Sequence, residues 1–223
     1  MGAVTAQPLQ AERQAVAAAA RRLAAEGLVL GTAGNVSARS GELVAVTPTG
    51  AVLAELEAED VVVVDLDGAA VHGDYAPTSE IELHLGAYRR HGAGAVVHAH
   101  SPVGTALACA LDELPLIHYQ MLALGGPIRV APYATFGTAQ LAQLTLDALE
   151  GRAAALMANH GMITVGPDLD AALANALLLE WACELYWRAA AVGPPRSLDA
   201  GQAQDFIDAV RTRGYGALQE RDG

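Results

Sequence analysis

Ala95-Val-Val-His-Ala-His-Ser101 is the stretch on which the reading of this chain turns. It is an apolar run of strand length that closes on two histidines. A strand repeats every two residues, so His98 and His100 point to the same face. A second apolar run, Ala153-Ala-Ala-Leu-Met-Ala-Asn-His-Gly161, also closes on a histidine, His160. Two imidazoles from one strand end and a third from another make three corners of a tetrahedral site. That is the usual count for a catalytic zinc, whose fourth position stays open for water or substrate. A lone histidine in an apolar run is ordinarily a hydrogen-bonded core residue. The i, i+2 pair and the repeated strand-then-histidine context favour the metal instead.

Outward from this stretch, helices and strands alternate in a mixed order. Residues 9–28 form an Ala-rich amphipathic helix that stops near Gly27. Short strands follow at 36–39, 43–46 and 61–65, with Thr47-Pro-Thr-Gly50 as a turn and Asp65-Leu-Asp-Gly68 as a hairpin exit. A helix begins near Ser79, where Ser79 and Glu82 fit a capping box, and runs to about His91. The strand at 95–100 is followed by a helix at 102–111. Residues 115–137 alternate short apolar pieces with Gly and Pro, and 138–149 is a helix. Strands at 153–158 and 162–165 precede a long helix at 169–191, broken by Gly193-Pro-Pro195, and a last helix at 199–211. Without clean βαβ repetition, the simplest architecture is one α/β domain over 1–223 (core about 10–215) with a central, mostly antiparallel sheet flanked by helices.

Composition narrows the function classes. With 52% hydrophobic and 17% charged residues, the 223-residue chain is a well-buried globular protein. A net charge of −12 argues against nucleic acid or an anionic membrane as partner. All 13 basic residues are arginine. Without a lysine amine, a Schiff base with a carbonyl substrate, a pyridoxal-phosphate lysine and a P-loop lysine are all excluded. Chemistry on carbon–carbon bonds would then need a metal as electron sink. Cys109 and Cys183 lie in apolar helical contexts and read as buried core thiols. The N-terminus lacks the pattern of a signal peptide, and no apolar run reaches membrane-spanning length, so the expected location is cytoplasmic.

Other residues admit two meanings. Glu80, in the first turn of its helix, is either a surface carboxylate stabilised by the helix dipole or a general base beside the metal. Only its position relative to the histidines decides. His84 lies one turn later on the same helix face and is a fourth ligand or, preferably, a residue packed under the site. His72 and His91 are expected to be solvated. Gly34-Asn35, Thr49-Gly50 and Thr78-Ser79 are each ordinary turns. Together they could offer backbone N–H groups and short polar side chains to a phosphate without using lysine, with Thr78-Ser79 at a helix N-terminus.

Seven ordered motifs resemble those of the class II aldolase/adducin family, its fuculose-phosphate aldolase branch in particular. They are Gly31-Thr-Ala-Gly-Asn-Val-Ser37, Thr47-Pro-Thr-Gly50, Pro77-Thr-Ser-Glu80 with His84, Val97-His-Ala-His100, Ile117-His-Tyr119, Ala131-Pro-Tyr-Ala-Thr-Phe-Gly-Thr138 and Asn159-His-Gly161. The resemblance covers about residues 10–215. It implies a zinc ion per subunit on His98, His100 and His160, with Glu80 at the metal as catalytic base. It implies phosphate binding by Gly34, Asn35, Thr49, Gly50, Thr78 and Ser79. It further implies that Tyr119 serves as acid at the aldehyde oxygen, reaching in from a neighbouring subunit of a C4 homotetramer whose active sites lie at subunit interfaces. Phe136 would line the aldehyde side, and Tyr215, in Arg213-Gly-Tyr-Gly216, would close over the site.

The implied reaction is reversible cleavage of a ketose 1-phosphate of the fuculose 1-phosphate kind to dihydroxyacetone phosphate and an aldehyde, through a metal-stabilised enediolate. Glutamate at position 80 favours aldolase over the ribulose-phosphate 4-epimerases, which carry aspartate there. An epimerase or sugar-acid phosphate decarboxylase of the same family is the alternative. A non-catalytic adducin-like binding domain would be expected to have lost the metal ligands.

Overall fold

The structure, a computed structural model, describes residues 8–213. Its centre is the strand built from the opening stretch. In chain order the elements are α1 (Gln10–Ala25), β1 (Asn35–Ser40), β2 (Leu43–Val46), β3 (Val62–Asp65), β4 (Ala70–His72), α2 (Ile81–His91), β5 (Ala95–Ala99) and α3 (Pro102–Ala108). They continue as β6 (Glu113–Leu114), a 3-10 helix (Tyr119–Leu124), β7 (Ile128–Ala131), α4 (Ala139–Ala148), β8 (Ala154–Met157), β9 (Gly161–Gly166), α5 (Leu169–Val192) and α6 (Ala200–Arg213).

The strands make one nine-stranded sheet in the order β4-β3-β2-β1-β5-β9-β8-β7-β6. Every neighbouring pair is antiparallel except β7 with β8. β5 is thus a central strand covered on both faces, which explains its nearly continuous apolar run. Its Ala95, Val97 and Ala99 pack into a core shared with α1, α3 and α5, whereas Val96 joins the opposite core with α2 and α4. By the same alternation His98 faces the α2 side. In β1, Val36 and Ala38 belong to the first core, which turns Asn35 and Ser37 toward α2 as well.

Several local expectations change. Residues 70–72, which include His72, form the edge strand β4 and not a free turn, and His72 Nε2 lies 3.1 Å from Arg13 Nη1. His91 is also partnered, with Nε2 3.1 Å from the Leu146 carbonyl. Cys183 is buried but Cys109 is exposed, because α3 ends at Ala108 and leaves Cys109 at its C-cap. The capping box at Ser79 does not form. α2 starts at Ile81 with Glu80 at its cap position and no side-chain cap bond. The turn before it is held instead by Thr78, whose Oγ1 accepts from the Glu80 N–H at 3.3 Å. Glu82 points outward to Arg89 at 3.2 Å. Glu80 is drawn away from capping by partners on β1 and β5.

Candidate active site

β1 and β5 pair so that Asn35 stands opposite His98, with the sheet's α2-facing side beneath Glu80. His98 is fully buried, and its Nδ1–H donates to the Met162 carbonyl at 2.9 Å, which leaves Nε2 bare for a metal. His100 follows the strand end. His160 sits on the three-residue connection between β8 and β9, next to Asn159, whose φ of 55° is left-handed. Hairpins of this length commonly use such a residue to turn the chain. Gly161 closes the turn, and a Cβ there would stand 2.4 Å from the Ala99 carbonyl and 3.1 Å from the His100 ring. Only glycine lets the two histidine-bearing strand ends meet this closely.

The three ring centroids are 4.8–5.0 Å apart with interplanar angles of 72–86°. One ligand atom from each residue lies within 4.8 Å of the others. Glu80 Oε2 is 3.1 Å from His98 Nε2, and Glu80 Oε1 is 3.5 Å from His160 Nε2. His98 Nε2 also lies 3.1 Å from His100 Nε2. Bare imidazole nitrogens and carboxylate oxygens converge here with too few donors among them. Glu80 Oε1 is buried without a hydrogen-bond partner among the described residues. A cation relieves this arrangement, and the all-nitrogen set plus a carboxylate suits a divalent metal with an open position.

The charges agree. Burial alone would push the Glu80 carboxyl up. The neighbouring His98 ring, the Asn35 amide donor and His160 outweigh it and hold the group well below the usual carboxylate range. Burial first, and then the proximity of His98, lowers both His100 and His160 to about 4. Both are therefore neutral, ligand-ready imidazoles at neutral pH. His84, entirely buried, is lowered to about 3 by burial first.

These shifts share one sign. An imidazole whose folded pKa lies below its free value resists protonation in the native state, so stability falls as pH drops from 6.5 toward 4. The depressed Glu80 carboxyl adds a loss below its free value of 4.5. The melting temperature of metal-free protein should therefore fall steadily between about pH 7 and about pH 4, which thermal melts across that range will record. A flat profile would contradict the assignment of neutral, buried imidazoles.

A cavity of about 440 Å³ opens over His100, His160 and Glu80. Gly34, Asn35, Thr49, Gly50, Thr78 and Ser79 all line it. Backbone pairing brings the loops together: the Thr49 N–H donates to the Ala76 carbonyl at 3.0 Å and the Thr78 N–H to the Thr47 carbonyl at 3.1 Å. No Lys or Arg side chain lines the cavity among the described residues. An anion there would meet backbone N–H groups, hydroxyls and the start of α2. The Asn35 side chain is already engaged. Its Nδ2 donates to Glu80 Oε2 at 2.9 Å, and its Oδ1 meets His84 Nε2 at 2.5 Å.

Phe136 lines the cavity mouth, two-thirds exposed, beside Tyr133. Tyr133 was not singled out from the sequence, although it lies in the same motif as Phe136. Tyr119 is elsewhere: its ring packs against His118 and Phe206 at 4.3 and 4.5 Å, and it lines a different, largely apolar cavity. Tyr215 lies outside the described residues.

The sequence profile of the Class II Aldolase and Adducin N-terminal domain matches residues 14–187. The chain belongs to this family, and it is a class II aldolase, a carbon–carbon lyase. The 5-methylthioribulose-1-phosphate/5-deoxyribulose-1-phosphate aldolase of Rhodospirillum rubrum is 41% identical over 89% of this chain and 90% of its own length. The 5-deoxy-D-ribulose 1-phosphate aldolase of Bacillus thuringiensis serovar kurstaki is 37% identical over 93% of this chain and 98% of its own. Among solved structures, an L-fuculose 1-phosphate aldolase superposes with a TM-score of 0.85 at 34% identity, covering 92% of this chain and all of that one. Class II aldolases are metal-dependent and this family acts on phosphorylated sugars, in keeping with the histidine cluster. Membership among aldolases sets aside the non-catalytic binding domain. No helix among the described residues is long and apolar enough to cross a membrane.

Proposed function

We propose that this enzyme is a zinc aldolase cleaving a 5-deoxypentulose 1-phosphate, 5-deoxyribulose or 5-methylthioribulose 1-phosphate, to dihydroxyacetone phosphate and a short apolar aldehyde. This puts a shorter, 5-deoxy sugar in place of the fuculose 1-phosphate-like substrate expected from sequence. The observation that carries the aldolase reading is Glu80 beside the three histidines on the floor of a lysine-free cavity lined by small polar loops. The two relatives named for 5-deoxypentulose phosphates, each matched over about nine-tenths of this chain, support the choice of sugar. The aromatic mouth at Phe136 and Tyr133 suits an aldehyde end without a hydroxyl.

His98, His100 and His160 would hold the zinc, which would supply a Lewis acid to stabilise negative charge beside the carbonyl when the C3–C4 bond breaks. Gly34, Thr49, Gly50, Thr78 and Ser79 hold the phosphate through N–H and hydroxyl donors, and Asn35 contributes from its remaining amide hydrogen. Glu80 returns a proton to C3 in cleavage and removes it in condensation. Tyr119 handles the proton on the aldehyde oxygen, donating it as the C4 hydroxyl forms and receiving it back in cleavage. Because Tyr119 does not line its own subunit's cavity, this role calls for a second copy of the chain, as in a C4 homotetramer with interfacial sites. The catalytic unit is one domain spanning about residues 10–215. The enzyme works in the cytoplasm.

The test is a cleavage assay over a panel of ketose 1-phosphates, following dihydroxyacetone phosphate with and without chelator. A 5-deoxypentulose 1-phosphate should exceed fuculose 1-phosphate in kcat/KM by about tenfold or more, the scale on which a pocket distinguishes small substituents. Preference for fuculose 1-phosphate would overturn the choice of sugar. An isomer or carbon dioxide as product would point to the epimerase or decarboxylase alternative.

A further inference from the structure

We infer that Tyr88, Ser37 and His84 form a one-way hydrogen-bond chain that fixes the Asn35 amide and through it aims the Glu80 carboxylate, which makes His84 a positioning residue. The inference rests on the aldolase reading above, in which Glu80 moves the C3 proton.

The direction of the chain follows from one charge. The Glu80 carboxylate only accepts, so the group 2.9 Å from Oε2 is the Asn35 NH2. That turns Asn35 Oδ1 toward His84 Nε2, 2.5 Å away, and an amide oxygen also only accepts, so Nε2 carries the hydrogen. A neutral imidazole has one N–H, so Nδ1 is bare and accepts from the Ser37 hydroxyl at 2.6 Å. Having donated there, Ser37 accepts from the Tyr88 hydroxyl. Every donor in the chain points toward Glu80.

Burial keeps water from it. Ser37 and His84 are fully buried, Tyr88 is 1% exposed and Asn35 5%. Burial keeps His84 uncharged and pushes the Tyr88 hydroxyl up, so neither end ionises to reverse the chain. Two periodicities build it: Asn35 and Ser37 share a face of β1 at i, i+2, while His84 and Tyr88 share a face of α2 at i, i+4, one turn on from Glu80 at its cap. With Oε2 occupied, Oε1 is left as the unpartnered atom beside His160. Without the His84 donor, Asn35 Oδ1 loses its anchor and the amide is free to swing out of line with the carboxylate.

Nitrogen NMR of the metal-free protein reads the tautomer directly. The neutral Nε2–H form of His84 is expected, and an Nδ1–H form would overturn the chain whatever the activity. On zinc-loaded enzyme, solvent exchange of the C3 proton of dihydroxyacetone phosphate without aldehyde reads the proton step assigned to Glu80 apart from the aldehyde-side chemistry. His84→Leu should slow this exchange about ten- to a hundredfold, with zinc content and KM changed no more than about twofold. His84→Gln, which keeps a donor near the Nε2 position, should recover most of the rate.

Equal impairment of the two variants, or a loss confined to KM, would overturn the role. If the His84 variants fail to fold, Ser37→Ala and Tyr88→Phe decide. Tyr88 acts through Ser37, so the double variant should be no slower than Ser37→Ala, and additive losses would break the chain. A wild-type enzyme that exchanges no proton defeats the reading of Glu80 as the base that moves the C3 proton. Exchange that survives His84→Leu unchanged defeats only the chain.

Discussion

Glu80→Gln should reduce cleavage turnover by about 10²- to 10⁴-fold, the usual contribution of a positioned general base. The substitution keeps side-chain volume, and its amide oxygen can still accept from Asn35, which now approaches Oε2 at 2.9 Å. Among the described residues that line the cavity, it removes the carboxylate beside the histidines. Zinc content should stay close to that of the wild type, because three imidazoles remain. Exchange of the C3 proton of dihydroxyacetone phosphate should fall in parallel with cleavage. Steady-state rates, metal analysis and proton exchange together check this. Near-wild-type turnover would remove Glu80 from the base role. Loss of metal with the rate would instead make it chiefly a ligand.

His100→Ala should cost the protein tight metal binding and, with it, cleavage activity. Among the three histidines it makes the cleanest test. His98 is fully buried and anchored to the Met162 carbonyl, so its removal leaves a hole in the core. His160 sits beside a left-handed residue on a tight turn. His100 lines the cavity and is partly exposed, so its loss enlarges an open space. Zinc affinity, measured against a competing chelator, should fall by more than the ten- to hundredfold typical of losing only an outer partner. The fold should persist in circular dichroism. Retention of one zinc at wild-type affinity would show that the metal is held elsewhere.

Much of the site was legible because its residues obey simple periods. The His98/His100 pair stood out by two-residue spacing at the end of an apolar strand, and His84 by its turn-length distance from Glu80. The long helix α5 and strands β2, β3, β5, β8 and β9 carry enough apolar residues to announce themselves. β4 and β6, of three and two residues, have no period to read and exist only because a neighbour supplies their hydrogen bonds. The Ser79/Glu82 capping box failed for a related reason. Local sequence ranks the bonds available within one turn, whereas Glu80 found stronger partners 45 residues before it and 18 after it.

The chain's own residues determined the class of chemistry: three histidines in strand-end contexts, one nearby carboxylate and no lysine leave a metal as the electron sink. Only the tertiary structure decided what Asn35, Ser37 and Tyr88 do. Their roles depend on β1 lying beside β5 and beneath α2, and antiparallel register across a sheet is a property of paired backbones that no single strand encodes. The structure also put Tyr119 outside its own cavity, so what the ordered motifs suggested about a second copy became a question of geometry.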